Sequence, residues 1–402
     1  MKKSEKRQPK TLYFDYAATA PILKSALKAM NSAYGTDFGN PGAVHYAGRN
    51  SILLLDGARG KIAEIMGGEF NGTIFTSSAT EANNLILKGL VKKYVRRERT
   101  GNISLPARII ISAAEHESVE QVAEKLSEEG TEVIRLSVKK DGRVDLSKLR
   151  DALNERTVIV SLIFTNNETG AVNDIRKAAE IIAEKRGDGQ YPALHTDASQ
   201  AFQYEDCSFG ATNADAITLS SHKIGGPKGV GALVFRASKS VKLMESAMQG
   251  GGQEFGIRSG TENVPAIAGF AEAIKETDVL RIKERKRVYA LKTALVKEII
   301  RVLPEVKING PSLREGSPHI LNLWFPKKSA EEIVTAMDME GIAVSYGSAC
   351  SARVFRPSKA IIALGHSENR ARESIRISSG RETKAQDIRK FARVIKKIAT
   401  QV

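Results

Sequence analysis

The run VIVSLIF (158–164), followed at once by TNNETG (165–170), sets the fold class. An apolar run of this length, closed by a polar turn, is expected of a strand buried on both faces of a sheet. Reading outward, RIIIS (108–112) and Val133 to Leu136 precede it as strands. Ala193 to Thr196, Ala216 to Leu219 and Ala232 to Phe235 follow it. Helical patterns lie between them: Glu117 to Glu129, closed by Gly130, and Asp174 to Lys185, with Ile175, Ala178, Ala179 and Ile182 on one side. Upstream, Ile74 to Thr76 reads as a strand end, and Thr80 as the cap of a helix carrying Leu85, Ile86, Leu87 and Leu90. The alternation predicts an α/β domain around a mostly parallel sheet. Ligands bind such sheets beyond the carboxyl ends of the strands. Polar motifs stand at those ends: Ser77 to Asn83, Asn166 to Gly170, Asp197 to Gln200 and Ser220 to Gly231.

Past residue 265 the texture changes. A long charged helical stretch covers 265–302, followed by Ile320 to Trp324 as a strand, Ala330 to Glu340 as a helix and Ala343 to Ser345 as a strand. A Gly/Ser/Cys loop and a closing helix complete the chain. The expected organisation is a basic arm over 1–12, a large α/β domain over 13–264 and a smaller α+β domain over 265–402, in a chain of 402 residues. No apolar stretch approaches the roughly 20 residues of a membrane helix, and no apolar segment follows the basic amino terminus. The expectation is a cytoplasmic protein. Cys207 and Cys350 are its two cysteines. Without a C-x-x-C pair they write neither a structural zinc site nor a dithiol redox site, and no metal is expected. The net charge of +15 falls in clusters such as Lys92 to Arg99 and Arg281 to Arg287. These carry no known nucleic-acid motif, so they read as solvated faces and direct nucleic-acid binding is not expected.

Several residues carry candidate chemistry. Lys223, in LSSHKIGGPKGVG (219–231), sits just past a strand among Ser, His and Gly. A lysine so placed can form a Schiff base with an aldehyde cofactor; taken alone it reads equally as a turn lysine. The motif has neither P-loop nor dinucleotide-fold spacing. Asp197, in HTDASQ (195–200), can keep a pyridine nitrogen protonated so that the ring accepts electrons, or can simply cap a helix. SSATEANN (77–84) opens a helix whose free amides and dipole suit a phosphate. His116, in AEHES (114–118), can stack on a ring and handle protons. Cys350 lies in SYGSACSARVFRPS (345–358), a Gly/Ser/Ala loop with Arg353 and Arg356 behind it, which favours thiolate over thiol. Arg376, in SIRISSGR (374–381), could hold a carboxylate through two parallel bonds, or form a surface salt bridge. Cys207 reads as a small buried apolar residue.

Taken together and in order, these motifs, with YFDYAATAP (13–21), FGNPGAVH (38–45), GGGQEFGIRSGTEN (250–263) and GSACSA (347–352), resemble the cysteine desulfurases of the longer-loop group. These are class-V-like enzymes of fold type I that depend on pyridoxal 5'-phosphate (PLP). The resemblance covers nearly the whole chain. It implies that Lys223 is the Schiff-base lysine, that Asp197 pairs with the pyridine nitrogen, and that Gln200 and Asn167 bond the ring oxygen. It further implies that His116 stacks on the ring and that Ala79, Thr80, Ser220 and His222 bind the phosphate. Thr261 would be lent by the second subunit of a homodimer. Asn167 and Arg376 would hold the carboxylate of L-cysteine. Cys350 would take the sulfur as a persulfide and pass it to an acceptor protein of iron–sulfur cluster assembly or tRNA thiolation.

Three features depart from the family pattern. SSATE stands where SGATE is usual, Arg356 replaces an acidic residue before the proline, and Gly187 to Tyr191 forms a small insertion. Two kinds of rival reading remain at this level. One is another PLP enzyme on the same scaffold: a selenocysteine lyase, another lyase or an aminotransferase. The other is a non-catalytic sulfur-carrier or RNA-binding platform, which would need none of Lys223, Asp197, His116 and Cys350 in one geometry.

Overall fold

A computed structural model describes residues 11–100, 106–187, 189–347 and 356–401. The chain opens with a short strand β1 (Leu12–Tyr13), then helices α1 (Lys24–Thr36) and α2 (Tyr46–Met66). Strands and helices then alternate: β2 (Thr73–Thr76), α3 (Ala79–Thr100), β3 (Arg108–Ser112), α4 (Glu117–Glu128), β4 (Glu132–Leu136), α5 (Leu149–Ala152), β5 (Thr157–Ile163), α6 (Ile175–Arg186), β6 (Ala193–Asp197), α7 (Phe209–Thr212), β7 (Ala216–Ser220) and β8 (Gly231–Phe235). The helix α8 (Val264–Val302) leads to β9 (Lys307–Asn309), β10 (Ile320–Trp324), α9 (Ala330–Met339), β11 (Ile342–Ala343), α10 (Lys359–Ala363), α11 (Glu368–Arg372), β12 (Ser374–Ser378) and α12 (Ala385–Gln401).

The large sheet runs in the order β2-β8-β7-β6-β5-β3-β4. Its members from β7 to β4 are parallel, and β8 is antiparallel to both its neighbours. Every residue of β5 is buried, as the apolar run predicts for a central strand. Removing a Val, Ile or Leu of such a strand from water contributes about 1.5–3 kcal/mol per side chain. The second sheet, β12-β10-β9, is antiparallel.

Several elements differ from the sequence reading or had no signal there. Thr80 is not the cap of α3. Ser78 takes that place, its Oγ accepting from Glu81 N at 3.2 Å, because the helix begins at Ala79, two residues before a Thr80 cap would start it. The serine that departs from the usual SGATE pattern therefore supplies a cap that glycine lacks. The amino-terminal segment crosses to the carboxyl-terminal part of the chain. Leu12 and Tyr13 pair with Ile342 and Ala343 of β11, and Phe14 meets Phe391 edge-on at 4.9 Å. Helix α8 likewise serves two cores: Phe270 and Ile274 pack beneath the large sheet, and Leu295 and Ile299 pack against β10 and α12.

Candidate functional site

The carboxyl ends of β3, β5, β6 and β7 emerge along one edge of the large sheet, as parallel pairing requires. Register aligns their exits. Ile163 stands opposite Asp197, Asp197 opposite Thr218, and Ser220, Gly231 and Thr76 form one row. The turns after β2 and β7 therefore leave the sheet side by side. Gly231 makes this possible: a Cβ there would lie 2.8 Å from the Ser78 carbonyl carbon and 3.0 Å from Ala79 N. Only a bare backbone lets the first turn of α3 come so close to β8.

One cavity at this edge is lined by Ser78, Ala79, Thr80, His116, Asn167, Asp197, Gln200, Ser220, His222, Lys223 and Arg376, together with Ala17, Ala18 and Ser118. The structure thus brings together every predicted site residue except Thr261 and Cys350. Thr261 borders a separate cleft with Thr76, Ser77, Glu254 and Arg258. Cys350 lies outside the described residues, as does Arg353.

Lys223 ends the short turn after β7. Its Nζ donates to the carbonyl oxygens of Ala17 at 2.6 Å and Ala18 at 2.9 Å. Asp197 is 4% exposed. Its Oδ1 accepts from Ser199 N at 2.9 Å, and its Oδ2 from Asn83 Nδ2 at 2.8 Å. Asn83 also donates to Ser118 Oγ at 2.8 Å, and that hydroxyl lies 2.9 Å from His116 Nδ1. The backbone N–H of Ser118 donates to the same nitrogen at 3.1 Å. Nδ1 is therefore an acceptor, which leaves Nε2 as the N–H of the ring. A continuous chain of hydrogen bonds ties the carboxylate to the ring.

The phosphate-type wall is built from α3. Ala79 and Thr80 are in its first turn, ahead of the first intrahelical bond, which Ala82 N makes to Ser78 O. His222 faces Thr19, with 3.1 Å between Nδ1 and Oγ1. Burial, then Lys223 and Lys228, lower its pKa to about 4, so the ring is neutral near pH 7. Glu115, next to His116, accepts from Ile163 N at 2.7 Å, and burial holds its carboxyl well above the ordinary range.

Arg376 is 2% exposed. Nη2 pairs with Asp15 at 2.8 Å and Nη1 donates to Asn167 O at 3.0 Å. The salt bridge expected at a surface is thus a buried one. Nε has no partner among the described residues. Ser345, which leads into the cysteine segment, exchanges backbone bonds with Arg376. Cys207 is buried, and burial pushes its thiol well up.

Sequence reasoning missed Asn83, Ser118, Asp15 and His319 as parts of this site. Asn83 and Ser118 stand inside the quoted motifs, and pairing each with the nearest functional residue would have found them. Asp15, inside the quoted YFDYAATAP, and His319 reach the site from distant parts of the chain.

The Aminotransferase class-V family description matches residues 12–391. A cysteine desulfurase, IscS 1, of Archaeoglobus fulgidus is 36% identical over 384 residues, covering 95% of each chain. A solved NifS-like protein superposes with a TM-score of 0.88 at 29% identity, covering 98% of this chain and 100% of that one. The structure of SspA in complex with cysteine gives 0.78 at 30% identity, covering 92% of this chain and 99% of the other. The Lys223–Asp197 cavity, the mostly parallel sheet behind it and these relatives agree: the chain belongs to the class-V aminotransferase family, PLP-dependent enzymes, and within it to the cysteine desulfurases.

Proposed function

We propose that the cavity holds PLP and L-cysteine, and that the protein removes the sulfur as a persulfide on Cys350, releasing L-alanine. The observation that carries the assignment of roles is the meeting of the Lys223 amine, the buried Asp197 carboxylate and the first turn of α3 in one cavity. The donor set suits the cofactor. It offers an amine for the aldehyde, a carboxylate for the pyridine nitrogen, and for the phosphate the α3 amides at Ala79 and Thr80 with the Ser220 and His222 side chains. Asn167 and Gln200 supply amides for the ring oxygen. When bound, PLP supplies an electron sink for the substrate α-carbon.

The chain's own residues do the rest. Lys223 takes the α-proton. His116, oriented by Ser118, would lie against the ring of the bound cofactor and carry protons through Nε2. Arg376 and Asn167 hold the substrate carboxylate, and their place together in the cavity lining favours this. The Cys350 sulfur bonds to the substrate sulfur as the carbon–sulfur bond breaks. The pairing of Ser345 with Arg376 supports an approach of the cysteine segment from this side.

We infer a homodimer in which Thr261 completes the partner's site. Tyr34, Phe38, Val44, Tyr46 and Leu53, along α1, α2 and the segment between them, are exposed apolar side chains that a second copy would cover. The division near residue 264 is also proposed, with residues 12–14 joining the carboxyl-terminal core. The sulfur acceptor is a protein of iron–sulfur cluster assembly or tRNA thiolation. The exposed Arg356, at the end of the cysteine segment, favours an acidic surface on it. A cytoplasmic site of action follows from the need for a free Cys350 thiol; no helix among the described residues is long and apolar enough to cross a membrane.

Purified wild type and Cys350→Ser test the reading through near-visible absorbance and release of sulfide and alanine from L-cysteine with a reductant. Both should be yellow, and only the wild type should release sulfide. Full sulfide release by Cys350→Ser would discard the persulfide step. A colourless wild type that PLP cannot reconstitute would discard the assignment of the cavity.

A further inference from the structure

Behind the cavity lies a buried polar chain that none of the roles above uses. His319, just before β10, is 4% exposed. Its Nδ1 is 2.7 Å from Ser317 Oγ, and its Nε2 is 3.2 Å from Gln200 Oε1. The ring lies against Tyr204 at 4.7 Å between centroids. Lys292 Nζ donates to Ser317 O at 2.8 Å. Burial, then the positive charges of Lys292, Arg376 and Lys223, lower the pKa of His319 to about 3. The imidazole is therefore neutral near pH 7 and carries one N–H.

Gln200 settles where that proton sits. Its Nε2 donates to Ala17 O at 2.7 Å, which turns Oε1, an acceptor, toward His319. The histidine proton must then be on Nε2, and Nδ1 accepts from the Ser317 hydroxyl. A flipped amide would set Oε1 against the Ala17 carbonyl oxygen, acceptor against acceptor, and no tautomer of His319 relieves that contact. The same Ala17 oxygen also accepts from Lys223 Nζ. With Oε1 held by His319 and one amide hydrogen held by Ala17, the second amide hydrogen of Gln200 is left to be offered into the cavity that Gln200 lines.

We propose that His319 is a positioning residue that locks the Gln200 amide so that its N–H, not its carbonyl, meets the ring oxygen of the bound cofactor. This rests on the reading of Gln200 as a donor to that oxygen. Such a donor draws charge from the oxygen and lowers its hold on the proton it shares with the Lys223 nitrogen. Freeing the amide should therefore raise the pH at which the cofactor's visible absorbance titrates. The shift should be roughly one pH unit, the scale of one hydrogen bond.

The test is that titration on the full-length, PLP-loaded protein. His319→Phe keeps a ring against Tyr204 and removes the N–H. His319→Gln keeps a donor. Gln200→Leu removes the amide itself. Asp15, His116, Asp197, His222, Lys223 and Arg376, the titratable and charged groups around the cavity, stay the same in all variants. The expected result is an upward shift of about one pH unit in His319→Phe, at least as much in Gln200→Leu, and recovery to within a few tenths in His319→Gln. A His319→Phe that titrates with wild type while Gln200→Leu shifts overturns the lock. If Gln200→Leu also titrates with wild type, Gln200 is not the ring-oxygen donor, and the proposal falls for that reason instead. Should His319→Phe fail to fold, Ser317→Ala removes the hydroxyl that holds the far side of the His319 ring. A smaller shift in the same direction supports the lock, and none overturns it.

Discussion

Lys292→Met should make the protein more stable near neutral pH, although it removes a hydrogen bond. Lys292 is buried in α8, and burial lowers its pKa from the ordinary 10.5 to about 8. At about 1.4 kcal/mol per pH unit, that gap is a cost of about 3 kcal/mol while both folded and unfolded chains hold the proton, which is below about pH 8. Between about pH 8 and about pH 10.5 the folded amine loses its proton first, and the cost fades as pH rises. The bond to Ser317 O returns about 1 kcal/mol in either protonation state. Methionine fills the path of the lysine stem without charge. The variant should therefore gain about 2 kcal/mol at about pH 7 and almost nothing at about pH 10. Paired urea unfolding of wild type and variant at the two pH values reads the difference, with the pH effects of other groups cancelling. A variant that is less stable at the lower pH, or a gain that does not shrink as pH rises, would refute the assignment of Lys292 as a buried, costly cation.

Other substitutions probe the site and its supports. Arg59 and Glu254 form a buried bidentate pair, 2.7 and 2.8 Å long, and Glu254 also accepts from Phe75 N. The pair holds Glu254 and Phe255 at φ 48 and 56, a left-handed backbone that non-glycine residues adopt at a cost of about 1–2 kcal/mol each. Arg59→Leu should lose about 3–5 kcal/mol of stability by stranding the carboxylate, and the double variant Arg59→Leu/Glu254→Leu should lose less; equal losses in thermal unfolding would contradict this. Gly231→Ala should drive the first turn of α3 away from β8 and weaken PLP binding at least about tenfold, measured by equilibrium titration, with the sheet retained; unchanged affinity would separate that turn from the phosphate. Arg376→Lys should raise KM for L-cysteine by about 10- to 100-fold, because an ammonium cannot make two parallel bonds to a carboxylate. Steady-state kinetics with an unchanged KM would remove Arg376 from substrate binding.

Much of the large sheet was legible because its signal is local. The apolar run at 158–164 and its neighbours are buried for reasons any strand of that composition shares. Lys223, Asp197, His116 and the opening of α3 were legible because each sits at the end of a strand, where the fold class already places ligands. The cap of α3 was misread by two residues, since Ser78 and Thr80 can both cap by residue type and only the backbone position of the first turn tells them apart. Strand β1, with two residues, carries no period to read; its partner β11 is more than three hundred residues away.

By itself the sequence determined the class of sheet, because that depends on local apolar runs, and the order of its motifs, through their resemblance to a family, named the cofactor and the candidate side chains. Tertiary structure alone decided how those side chains are held. Asn83 and Ser118 link Asp197 to His116, Asp15 takes one arm of Arg376, and His319 meets Gln200 across 119 positions of sequence. Hydrogen bonds act over about 3 Å whatever the separation along the chain. The partners that orient the catalytic groups therefore appear only when the strands and helices that carry them have packed.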